Sequence, residues 1–234
     1  MTSSTILTRY LYNKDSVAYS LEYAIKNSET EEALFWAYEL YRSGFQTELI
    51  QLLFSIYDNH YTQFSHLQKC LQKKYEKWKK DYKTYATFPA TMVKNMILRN
   101  KMKTDNPKVL IIECKECDIA PFQTKDIPVG KPYKYLKMSC EFAVKSDKMP
   151  TENLFHRLES QTQWLYYASF SPLWNMRLQK YKATVNHLKK DVVFETDDEL
   201  ELFMDKFGFE PEEQILKIQQ FCLGFHSSYL FLCK

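Results

Sequence analysis

The sequence predicts a mainly α-helical protein, a helical bundle of about eight helices with a small β ribbon inserted near the middle. Three observations lead there. Only four glycines occur in 234 residues, so positive-φ turns and phosphate-cradling loops are scarce, and helices joined by short polar links are the economical solution. Apolar and aromatic side chains recur at helical spacing, punctuated by helix start and stop residues. One stretch, 105–150, instead alternates β-branched runs with loop residues. The expected organisation is an N-terminal helical bundle over 1–104, a small β/loop insertion over 105–150, and a C-terminal helical part over 151–234 packed with the first bundle as one domain.

In chain order, "SVAYSLEYAIKN" reads as a first helix. In "NSETEEALFWAYELYRSGF" Ser28 and Glu31 have the spacing of a capping box, and Gly44 supplies a left-handed stop. Between them almost no polar face remains, which marks a central helix. Thr47 then caps "ELIQLLFSIYDNHY". The next segment has the clearest periodicity: Phe64, Leu67, Leu71, Tyr75, Trp78, Tyr82 and Tyr85 recur every three or four residues, one apolar stripe along about six turns. Lys69, Lys73, Lys74, Lys77, Lys79, Lys80 and Lys83 fill the other faces, either as a solvated side or as a surface for phosphate, nucleic acid or an acidic protein. "ATMVKNMILRNKMK" follows as a shorter basic helix containing Arg99.

"NPKVLIIECKECDI" has strand composition, and "KPYKYLKMSCEF" is its expected partner. Beyond 150, Ser171–Pro172 opens "PLWNMRLQKY", Thr196 and Glu199 form a second capping box for "DDELELFMDKF", and Pro211 opens "PEEQILKIQQFCL".

The thiols Cys114 and Cys117 are the one ready-made chemical pattern. A structural zinc ion takes four ligands, commonly as two close pairs, and the remaining Cys and His residues stand singly. A redox thiol is favoured at a helix N-terminus, whereas Cys114 is read as ending a strand beside Glu113 and Glu116. No metal ligand or cofactor is assigned. Glycine-rich nucleotide loops, His-Glu-x-x-His and Gly-x-Ser-x-Gly are also missing, so no catalytic residue is assigned and a non-enzyme is expected. The longest apolar runs are far shorter than the roughly 20 residues of a membrane-spanning helix, so a soluble intracellular protein without a transmembrane segment is expected.

Charge is separated along the chain. Residues 69–108 hold twelve basic and three acidic side chains; residues 191–213 hold ten acidic side chains and Lys206. The overall +3 hides this division. The basic patch comprises Lys69, Lys73, Lys74, Lys77, Lys79, Lys80, Lys83 and Arg99. The acidic patch comprises Asp197, Asp198, Glu199, Glu201, Glu212 and Glu213.

The segments "EEALFWAYELYRSGF", "LIQLLFSIYDNHY", "SFSPLWNMRLQKY" and "VVFETDDELELFMDKFGFEPEEQ" resemble a poorly characterised group of proteins encoded by nucleocytoplasmic large DNA viruses, over 5–62 and 168–215. The resemblance implies a giant-virus protein located in the virion or host cytoplasm, and it carries over no site residue. The resulting expectation is a viral structural protein, a minor capsid or capsid-associated component, binding capsid proteins or its own copies through complementary charged patches. The alternative is a nucleic-acid-binding accessory protein using the lysine-rich helix 66–83, with Tyr75, Trp78 or Tyr82 as stacking groups where exposed.

Overall fold

The computed structural model describes residues 6–100, 102, 111–122, 142, 144–145 and 163–207. Among these it holds nine α-helices and one two-stranded antiparallel ribbon, the mainly helical class that the sequence predicts. In chain order these are α1 (Lys14–Lys26), α2 (Thr30–Arg42), α3 (Gln46–His60), α4 (Ser65–Lys80), α5 (Phe88–Arg99), the single turn α6 (Glu116–Ile119), α7 (Gln163–Ala168), α8 (Pro172–Lys180), β1 (Ala183–Asn186), β2 (Asp191–Phe194) and α9 (Asp197–Phe207). The ribbon lies nearer the C-terminus than expected. Residues 111–115 are extended but not in a sheet, and 116–119 form α6; the segments 107–110 and 131–141 lie outside the described residues, as do 211–223. No helix among the described residues is long and apolar enough to cross a membrane.

The described residues fall into two compact units, one within 18–41 and 45–124 and the other within 1–17, 42–44 and 125–234. In the first unit α2 is buried on every side from Ala33 to Tyr41, as its nearly continuous apolar sequence requires. Its tyrosines fix the chain that follows α4: Tyr38 Oη donates to Ala86 O (2.7 Å) and Tyr41 Oη to Tyr82 O (2.6 Å). Helices α3 and α4 both pack on α5.

The expected capping box at Ser28 is replaced by a helix stop. Ser28 has φ +63°, and the bonds Glu29 N→Ala24 O (2.9 Å) and Ser28 N→Ile25 O (3.1 Å) close α1 in a Schellman arrangement. Asn100 reinforces this end by donating to Ile25 O (2.6 Å) and Ser28 Oγ (2.9 Å) while accepting from Tyr61 Oη (2.6 Å). Likewise α3 begins before Thr47, with Phe45 at its N-cap and no side-chain cap bond.

The second unit is built around Ser43 and Gly44. Buried Ser43 accepts Arg9 N–H on Oγ (2.7 Å), and its carbonyl accepts Ser171 Oγ–H (2.9 Å) and Leu173 N–H (3.2 Å). Gly44 takes the predicted left-handed conformation, φ +97°, and a β-carbon there would lie 2.6 Å from Pro172 Cβ. Trp174, wholly buried, donates Nε1–H to Thr8 O (2.9 Å). The ribbon pairs Ala183 with Phe194 through Asn186 with Asp191, and rests on α9 through Phe194 and Phe203, whose rings are 5.2 Å apart. Phe203 also meets Tyr181 edge-on at 5.5 Å, so one buried aromatic ring supports β2, α9 and the end of α8.

Candidate interaction surfaces

The lysine-rich segment folds as helix α4 because its apolar stripe has a buried seat. Phe64, Leu67, Leu71 and Trp78 are buried, and half-buried Tyr75 stacks on Trp78 with ring centroids 6.0 Å apart. The stripe stops two aromatics short of the prediction. Asp81 leaves the helix, and its carboxylate accepts the amides of Lys83 and Thr84 (3.1 Å each) and the Thr84 hydroxyl, a local turn that competes with continued helix. These bonds, the Thr84 hydroxyl first, hold the Asp81 carboxyl below its usual range. Tyr82 and Tyr85 therefore lie beyond the helix and are 45% and 41% exposed.

Lys69, Lys73, Lys77, Lys79 and Lys80 are exposed on α4, and Lys83 is exposed in the turn after it. Lys74 is half-buried and bound to Glu113 at 2.6 Å. Arg99 does not belong to this surface: it is only 2% exposed, and its Nη1 donates to Asn95 Oδ1 (3.1 Å) within α5. A guanidinium four residues beyond an asparagine on one helix reaches back to it, so positive charge in the sequence does not here mean positive surface.

On α9 the acidic prediction divides. Thr196 Oγ1 accepts Glu199 N–H (3.3 Å), as a capping box requires, but the Glu199 carboxylate turns to Lys182 at 2.6 Å. Asp197, Asp198 and Glu201 are exposed, while Glu212 and Glu213 lie outside the described residues. The first-turn carboxylates of α9 and the last-turn lysines of α4 each oppose their helix dipole, which adds a structural reason for their positions. None of Lys69, Lys73, Lys77, Lys79, Lys80, Asp197, Asp198 and Glu201 forms a side-chain ion pair among the described residues.

The cysteine pair has a different setting from the predicted strand end. Asn95 Nδ2 donates to Ile112 O (2.7 Å) and Asn95 Oδ1 accepts Ile112 N–H (3.0 Å), while Thr91 Oγ1 accepts Cys114 N–H (3.2 Å). Side chains of α5 thus pair with the extended backbone as a neighbouring strand would. Asp118 then accepts Lys115 N–H (2.7 Å) and bridges Lys94 (2.8 Å), starting the turn of α6. Cys114 is buried, which pushes its thiol up, and Cys117 is exposed. Among the described residues no group of three or more His, Cys, Asp or Glu side chains is placed to hold a metal ion. Cys140, Cys222, Cys233, His156 and His226 lie outside them.

One exposed feature was not predicted from the sequence. The four-residue turn 187–190 presents Leu188 at 98% exposure beside Lys189 and Lys190. Its sequence signal, an isolated leucine before two lysines, is indistinguishable from an ordinary polar connection.

No family model, curated protein or solved structure matches this chain.

Proposed function

We propose that this chain is a non-enzymatic structural or interaction protein that associates with copies of itself or with other proteins through opposed charged surfaces. In the setting implied by the giant-virus resemblance, it is a capsid-associated component. The observation that supports this reading is the pair of exposed faces, five lysines on α4 and three carboxylates on α9, that form no ion pair among the described residues. Exposed charges left without internal partners add little to a fold but guide and align association. Light scattering of the full chain over a salt series tests it. A particle mass that falls as salt rises supports self-association, and a monomer at every salt concentration removes that branch of the reading. Detection in purified virions would test the capsid setting.

A second reading has its own support in Tyr82 and Tyr85, exposed immediately after Lys79 and Lys80. Aromatic faces beside ammonium groups suit single-stranded nucleic acid. Trp78 and Tyr75 do not contribute in this way, since the first is buried and the second is packed on it. Binding of an oligonucleotide that falls steeply with salt and is lost in K73E/K77E/K80E would favour this reading; no binding at low salt would eliminate it.

A further inference from the structure

The turn between β1 and β2 is held in one shape. Asn186 Oδ1 accepts the amides of Leu188 (3.1 Å) and Lys189 (3.0 Å), and Lys190 closes the turn in the left-handed region at φ +51°. At its base His187 lies against the rings of Tyr166 and Phe170, with centroids 5.9 and 6.4 Å away. A leucine on such a turn is presented to solvent without the entropy that a floppy loop would lose on binding. Its neighbours Lys189 and Lys190 are exposed and form no ion pair among the described residues.

Helix α9 carries the complementary pattern. Phe203 faces the core, whereas Asp198, Glu201, Leu202 and Asp205 fall at positions that share one exposed helix face. Leu202 is 59% exposed, and these carboxylates have no ion-pair partner among the described residues. One surface is therefore an apolar side chain flanked by ammonium groups, and the other an apolar side chain flanked by carboxylates.

We propose that the hairpin tip of one copy docks on α9 of a second copy, with Leu188 against Leu202 and Lys189 and Lys190 among Asp198, Glu201 and Asp205. The assignment rests on the self-association branch of the proposed function and gives its α9 face a basic partner other than α4, the hairpin tip. Each copy offers one tip and one face, so the contact is heterologous: it propagates into open chains or closes into rings, and is not a two-fold dimer in which a patch meets itself. A contact centred on one leucine is small, so assembly grows with protein concentration and weakens as salt screens the rim.

The test is sedimentation velocity on the full chain at about 0.02 M and about 0.5 M salt. Leu188→Ser, K189E/K190E and D198K/E201K each replace exposed side chains, and circular dichroism confirms that the fold persists. Each variant alone is expected to associate at least about tenfold more weakly than the unchanged chain. The decisive sample is an equimolar mixture of K189E/K190E with D198K/E201K. The acidic tip of the first then meets the basic face of the second, and the basic tip of the second meets the acidic face of the first, so assembly returns in the mixture alone. Three results would overturn the assignment. Salt-sensitive assembly that ignores these variants but is lost in K73E/K77E/K80E would leave association through α4 standing and remove this contact. A monomer under all conditions would remove both. A monomer that binds anionic vesicles, and loses this in K189E/K190E, would assign the tip to a lipid surface.

Discussion

The extended residues 111–115 and the β1–β2 ribbon satisfy their backbones in opposite ways. The ribbon pairs with itself, and what holds it in place is aromatic packing on Phe203. Residues 111–115 belong to the run with the stronger strand composition, yet they pair with the side chains of Asn95 and Thr91, one amide group acting as both donor and acceptor toward Ile112. β-Branched composition reports that a backbone is extended; it does not report what the backbone bonds to. The ribbon should therefore fail when apolar area is removed, and the pinned segment when a polar group is removed.

Phe203→Ala sharpens this contrast most. Removing a wholly buried ring that touches Tyr181, Phe194 and Phe207 should cost about 4 kcal/mol in denaturant unfolding. Amide exchange should accelerate at the cross-strand amides of the β1–β2 ribbon while Ile112 keeps its protection. Asn95→Leu should do the reverse at about 3 kcal/mol, since it leaves the Ile112 amide and carbonyl without their partner. Continued protection of the Ile112 amide in that variant would show that another group holds the segment.

Asn186→Ala removes the acceptor for two turn amides and should cost about 1 kcal/mol, read as a small shift in the unfolding midpoint with the strand register unchanged in NMR contacts. Acid gives a smaller effect, confined to the pinned segment. Lys94 first, then the Lys115 amide, hold the Asp118 carboxyl below its usual range. Its contribution is thus present above the ordinary carboxylate pKa of about 4 and is lost as pH falls through the lowered folded value. Exchange of the Lys115 amide, corrected for its intrinsic pH dependence, should quicken there while ribbon amides do not follow. Alkylation gives the mildest readout: exposed Cys117 should react before Cys114, whose thiol is buried and pushed up, and Asn95→Leu should narrow the gap.

Much of the helical frame was legible because its signals are local. Gly44 as a helix stop, Pro172 as a helix start and the buried character of α2 all follow from residue type and spacing. The departures occur where two local rules share one pattern. Ser28 and Glu31 have capping-box spacing, but α1 needed a left-handed end and Ser28 filled it. Tyr82 and Tyr85 continue the α4 stripe in spacing, while Asp81 had a turn available that left them outside. The ribbon was hidden because the left-handed position of its turn is Lys190, not the glycine or asparagine that announces a hairpin. Arg99 could be placed only by knowing which face of α5 is covered. The exposed lysines of α4 and carboxylates of α9 were legible as charge; whether each was already bridged, as Lys74 and Glu199 are, depends on residues distant in sequence.

The bond from Trp174 to Thr8 has a consequence for biosynthesis. Its ends are separated by 166 positions, and Ser43 likewise waits 128 positions for Ser171. During translation Leu7, Tyr10, Leu11 and Tyr12, all buried in the finished protein, emerge long before Trp174, which bonds their neighbour Thr8. At roughly 5–20 residues per second, that delay is on the order of ten seconds or more. The turn at residues 7–12 thus waits for Trp174 while 166 positions are made, and slowing elongation between them would lengthen that wait without altering the finished fold.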